Sequence, residues 1–163
     1  NLWFQERSQS LTTHQLVFII VVGVFLPLFF TFVLYKLKQV NTFQLIDIQD
    51  RTQPYLLTVI AYAVLLLALQ SAAPFWALRI LFGFFAISLA LFFFSLFGSK
   101  VSAHLATISF VSSVVIDYNI IGSAAYLALI LVGIVAWARL KTKAHNWREV
   151  LCGMALGFCF GLV

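Results

Sequence analysis

Charge is what this chain has least of. Only 9% of its 163 residues are charged, whereas 63% are hydrophobic, and the mean hydropathy is +1.06. A water-soluble domain of this length cannot hide so much apolar surface, because its exterior would need far more charge to stay in solution. That excludes a soluble globular protein and makes lipid the matching solvent. The length suits one domain. Acidic residues are the scarcer sign, five against ten Lys and Arg, for a net charge of +5. The bases do not form a stripe on a soluble face, which argues against nucleic acid as a partner; beside spans they suit anionic headgroups. Cysteine is nearly absent. Cys152 and Cys159 lie seven apart in the last apolar segment, on one helix face and too far apart to bridge, so they read as small apolar residues. No separate cleavable signal peptide is expected from the residues given, and no repeat of 20–50 residues and no low-complexity tract is read in them.

What is present is a series of apolar runs. A helix needs roughly 20 apolar residues to cross the hydrocarbon core. The first run extends from about Leu16 to Leu37, with Pro27 in its middle predicting a kink. A polar stretch, Lys38 to Gln53, follows, with Asp47, Asp50 and Arg51. The second span begins at Pro54, suited to a first turn, and reaches about Leu69. After a turn ending at Pro74, the third covers about Phe75 to Phe97, and Gly98-Ser99-Lys100 breaks it. The fourth runs from about Ser102 to Ile116, the fifth from about Ile121 to Ala138 and the sixth from about Arg148 to Val163. The expected fold is therefore all-α, an integral membrane bundle of about six transmembrane helices. Residues 1–13 form an N-terminal segment whose opening, Asn1-Leu2-Trp3-Phe4-Gln5, reads as a variant of a protease-cleavage tag. Residues 14–163 form the single transmembrane domain.

Six spans put both ends on one side. The opposite side gathers Lys36, Lys38, Arg51, Lys100, Arg139, Lys141, Lys143 and Arg148, against Arg7 and Arg79 on the first. By the positive-inside rule that basic side is cytoplasmic. In the last span Gly153, Gly157 and Gly161 recur every four residues, a smooth ridge along which a neighbouring helix can approach.

Ionisable groups are costly near hydrocarbon, so their placement is informative. His14 precedes the first span and reads as an ordinary interfacial residue. His104 and His145 each sit at a helix boundary on the basic side. Lys100-Val101-Ser102-Ala103-His104 enters the fourth span. Arg139 is followed six residues on by His145, and four further by Glu149. At i and i+4 on one helix face, a carboxylate can accept a hydrogen bond from one imidazole N–H, fix the tautomer and leave the lone pair on the other nitrogen as a nucleophile. No HExxH sequence or cysteine pair marks a metal site.

These residues resemble the type-2 phosphatidic acid phosphatase superfamily of membrane lipid phosphatases, most specifically between Lys100 and Gly157. That family's third motif, Ser-Arg, five residues, His, three residues, Asp, is matched by Ala138-Arg139, His145 and Glu149. Its second, Pro-Ser-Gly-His, is matched by Val101-Ser102-Ala103-His104. The pattern is similar to a bacterial branch with Ser-Ala-His and Ala-Arg motifs. Its first motif, Lys, six residues, Arg-Pro, is missing after the third span, and Arg51-Thr52-Gln53-Pro54 is a degenerate counterpart placed earlier. The resemblance implies a bacterial inner-membrane hydrolase needing no cofactor or metal. His145 would be the nucleophile, supported by Glu149. His104 would serve as acid and then base, while Arg139, Lys100, Ser102 and Arg51 would bind phosphate. The implied substrates are membrane lipids: phosphatidate, phosphatidylglycerophosphate or a polyprenyl diphosphate. It also implies a site facing away from the cytoplasm, against the charge count. Two other readings stay open. One is a non-catalytic relative that binds or moves a phosphorylated lipid, suggested by the missing motif and by Ala103 and Ala138 in place of Gly and Ser. The other is an unrelated small-solute transporter or scaffold, disfavoured by the absence of midplane charge.

Overall fold

The computed structural model describes residues 10–41, 47, 50–117 and 124–162. The tag-like opening, part of the polar stretch after the first run, the turn at Tyr118-Asn119, the expected start of the fifth helix at Ile121 and the terminal Val163 lie outside the described residues. Every regular element among the described residues is helical: α1 Thr13–Lys36, α2 Thr52–Leu69, α3 Phe75–Leu96, α4 Ala103–Asp117, α5 Ala124–Lys141 and α6 Trp147–Gly161. The chain divides into two compact units, Asn1–Phe92 and Phe93–Val163, so the division falls inside α3.

By length and hydropathy, α1, α2 and α3 can each cross a membrane. Of the remaining three, α4 and α6 are shorter and α5 ends in charged residues. At 15 residues each, α4 and α6 reach roughly 22 Å, short of the roughly 30 Å hydrocarbon core. The 18-residue α5 carries Arg139 and Lys141 in its last turn.

In the first unit, α1 opens with Thr12 as N-cap in a reciprocal capping box with Gln15, and the Gln15 amide also donates to the Ala72 carbonyl at 2.7 Å. The start of α1 and the turn between α2 and α3 therefore share one end. The disturbance expected at Pro27 lies one turn earlier, as a π-helical turn over Val21–Phe25 closed by a bond from the Leu26 N–H to the Val21 carbonyl. Proline has no N–H to give, and its ring crowds the carbonyl four residues back, here Gly23. Widening the preceding turn relieves that crowding. Gly23 is also where α1 meets α2: a Cβ there would sit 3.2 Å from Leu65 Cδ1. Large side chains fill this unit. Leu65, Leu69 and Leu81 are buried, with Phe18, Val22, Tyr62 and Leu78 packed on them, and Tyr62 stacks on Phe84 with centroids 5.5 Å apart. Much of α1 faces outward with bare apolar side chains such as Val17, Phe25 and Phe29, as a lipid-facing helix should.

The second unit is joined differently. Gly98, at φ +67°, terminates α3, a backbone state glycine adopts without steric cost. The glycine ridge of α6 lies on α4. A Cβ on Gly153 would fall 2.5 Å from the Ser102 carbonyl oxygen; one on Gly157 would overlap the Ala106 carbonyl, and one on Gly161 the Ser113 hydroxyl. The expected close approach is thus made within the chain, by α6 against Ser102, just before α4, and Ala106, Ser109 and Ser113 of α4. Ser112 ties α4 to α5 through its hydroxyl, which reaches both the Ile108 and Ala128 carbonyls.

Candidate functional site

The constellation is built around one helix start. Asn146 has extended backbone and caps α6: its Oδ1 accepts from the Glu149 N–H at 3.0 Å. Asn-Trp-Arg-Glu before an apolar run is a capping-box sequence, and it places Glu149 at the third helical position. From there the carboxylate reaches back. Oε1 accepts from Asn146 Nδ2 at 2.8 Å, and Oε2 meets His145 Nδ1 at 2.7 Å. The acid also lies in the first turn of α6, where the helix dipole favours a negative charge. The i, i+4 pairing read from the sequence is present, with His145 just outside the helix rather than in it. The His145 side chain is 6% exposed.

The turn between α5 and α6 brings Arg139 to this pair. Lys143 takes the left-handed conformation at φ 53° and reverses the chain. The His145 N–H then donates to the Arg139 carbonyl at 3.4 Å. The six-residue spacing of Arg139 and His145 is therefore closed by a backbone bond, with Arg139 half-buried at the end of α5. Lys141 is turned to Trp137, its Nζ 4.6 Å from the ring centroid.

The start of α4 docks on the same helix start. The Ser102 N–H donates to the Glu149 carbonyl at 3.2 Å. Ser102 is fully buried, and its Oγ has no hydrogen-bond partner among the described residues. A buried hydroxyl left unsatisfied costs free energy, and here it stands immediately before the first turn of α4, whose leading N–H groups suit an anion. Lys100, half-buried, lies two residues upstream. His104 occupies the first turn of α4 with its side chain exposed. It lines an open groove of about 380 Å³ with Ala103, Thr107, Ile108, Val111 and Val135.

Hydrogen bonds thus join Ser102, Glu149, His145 and Arg139, with His104 and Lys100 on the chain adjoining Ser102. Arg51 belongs to the other unit. It is 6% exposed and hydrogen-bonded to Tyr55, next to Asp50, whose carboxylate accepts from the Asn41 N–H at 2.7 Å. Among the described residues no three His, Cys, Asp or Glu side chains converge as a metal site. Asn146 is the residue that sequence reasoning missed, although its Asn-x-x-Glu spacing was a readable signal. No family model matches the chain, and no curated protein and no solved structure is found to be similar to it.

Proposed function

We propose that this chain is a membrane lipid phosphatase, a six-span bundle that hydrolyses a lipid phosphate or polyprenyl diphosphate at one membrane surface through a phosphohistidine. The observation that carries the reading is the His145 Nδ1–Glu149 Oε2 contact of 2.7 Å in a buried setting. With Nδ1–H donated to the carboxylate, the lone pair lies on Nε2, the state a nucleophilic imidazole requires. The shorter α4 and α6 cross in this reading with their ends in the interfacial region.

In the first step Nε2 of His145 attacks phosphorus, the P–N bond forms, and the bond to the lipid oxygen breaks. The departing alkoxide takes a proton from His104 in its imidazolium form. In the second step water attacks the phosphohistidine, neutral His104 accepts the water's proton, and the P–N bond breaks to release phosphate and restore His145. Arg139 and Lys100 neutralise the equatorial oxygens, and the Ser102 hydroxyl donates to one of them; such fixed charges and dipoles supply most of the stabilisation in phosphoryl transfer.

The experiment is phosphate release by detergent-purified protein, with EDTA present, from a panel of lipid phosphates and diphosphates. Wild type is expected to release phosphate and to trap acid-labile phosphate on the protein, and His145→Ala to do neither while remaining folded. Turnover retained by that variant would sink the proposal. Binding of a phosphorylated lipid without turnover is the second reading. One observation favours it: the required acid, His104, is exposed in an apolar groove whereas His145 is buried. Saturable lipid-phosphate binding with no release from any panel member would select it.

A further inference from the structure

We infer that Asn146 is a positioning residue for His145, selecting its tautomer by gripping Glu149 with two hydrogen bonds of opposite sense. The phosphatase reading gives that role its catalytic meaning, but the geometry stands without it. The Glu149 N–H is a donor and needs an acceptor, so the oxygen of the Asn146 amide must face it, at 3.0 Å. That fixes the amide's orientation. Its nitrogen then points at Glu149 Oε1, at 2.8 Å. The Asn146 backbone N–H adds a longer contact to Oε2, at 3.4 Å. The carboxylate is left with one strong unfilled direction on Oε2, and His145 Nδ1 occupies it at 2.7 Å.

The same geometry accounts for a glutamate at position 149. An N3 side chain that returns to its own N-cap must be long enough to fold back over the first turn, which is why capping boxes use Glu or Gln. Aspartate is one methylene shorter and could not reach Asn146 Nδ2 and His145 Nδ1 together from this position. Among capping residues, asparagine accepts from N3 as well as aspartate or serine does, but it alone adds a neutral amide donor to the carboxylate. Serine would keep the cap and drop that donor. Helix initiation and imidazole orientation therefore rest on separate atoms of one side chain, Oδ1 for the first and Nδ2 for the second.

That separation makes the inference testable. The variants are Asn146→Ser, which keeps a capping oxygen, and Asn146→Ala, which keeps neither function. The first readout is ¹⁵N NMR of imidazole-labelled full-length protein in detergent, the His145 signal identified by its loss in His145→Ala. Wild type is expected to show His145 chiefly as the Nδ1–H tautomer at a pH where the ring is neutral. Asn146→Ser should show mixed tautomers at unchanged thermal midpoint, and Asn146→Ala mixed tautomers at a lowered one. The second readout is lipid-phosphate turnover, where Asn146→Ser should lower kcat on the order of tenfold with KM unchanged, as expected from losing a bond to a charged group. A wild-type His145 spectrum in Asn146→Ser overturns the inference, as does a loss of turnover that merely tracks the folded fraction. If wild type releases no phosphate from any lipid, the phosphatase reading fails, and the tautomer measurement still decides the role of Asn146.

Discussion

The two units solve the same problem with opposite materials. In the first, long helices meet through bulk: Leu65, Leu69, Leu81 and the Tyr62–Phe84 stack fill the space between them. In the second, α4 and α6 meet through absence, three glycines against serine, alanine and backbone. Lipid is as apolar as leucine, so helices within it gain little by simply covering apolar surface, and close packing and polar contacts carry more of the association. Bulk tolerates adjustment, because side chains can repack. Backbone contact does not, and it is this unit that holds the histidine–carboxylate pair. A group that must stay within a few tenths of an ångström of its partner is better mounted on contacts that cannot shift.

The comparison can be broken most severely at the glycine ridge. Gly157→Leu would drive a side chain into the Ala106 carbonyl and should cost about 3 kcal/mol or more, removing the second unit's fold. Leu65→Ala, in the first unit, leaves a cavity that neighbours partly fill and should cost about 2–3 kcal/mol. Denaturant titration of both variants in mixed micelles would show the order, and a ridge variant no worse than the leucine variant would contradict the contrast between rigid and adjustable packing.

A sharper cut falls inside the second unit. His104→Ala should lower turnover of a lipid phosphate by about 10²–10⁴-fold, and far less for an aryl phosphate whose leaving group needs no proton. Equal losses on both substrates would remove His104 from the acid role. The smallest effect is expected at Ser102. Ser102→Ala deletes a buried hydroxyl that has no partner among the described residues, so stability should stay within about 0.5 kcal/mol of wild type or rise slightly. Phosphate release should fall, and inhibition by inorganic phosphate should weaken. A stability loss above 2 kcal/mol would show that the hydroxyl serves the fold instead.

Much of this architecture is legible in the residues because apolar runs and their interruptions are strong local signals. Helix limits expected near Leu69, Phe75 and Ser102 lie within a few residues of those observed. The glycine spacing announces close packing, and the four-residue step from His145 to Glu149 announces their contact. What hydropathy cannot convey is depth and direction. It reads the fourth and sixth runs as short, about Ser102 to Ile116 and Arg148 to Val163, without showing whether helices of 15 residues complete a crossing. It places His104 at the helix entry without revealing that its side chain lies in an outward groove. Nor does hydropathy show that Arg51 is buried beside Tyr55. The π-helical turn before Pro27 is similarly hidden, since the proline reports the strain and the preceding residues absorb it. Asn146 is a different case, because its signal was local and complete.

Glu149 also makes a measuring device of the α4–α6 contact. Its carbonyl accepts the Ser102 N–H, its own N–H feeds the Asn146 cap, and its carboxylate meets the His145 ring. A slip of α4 by one residue along α6, about 1.5 Å, would stretch the first of these beyond hydrogen-bonding range. The single residue that aims the imidazole is thus the one at which the alignment of two helices is read, as a vernier reads the offset between two scales.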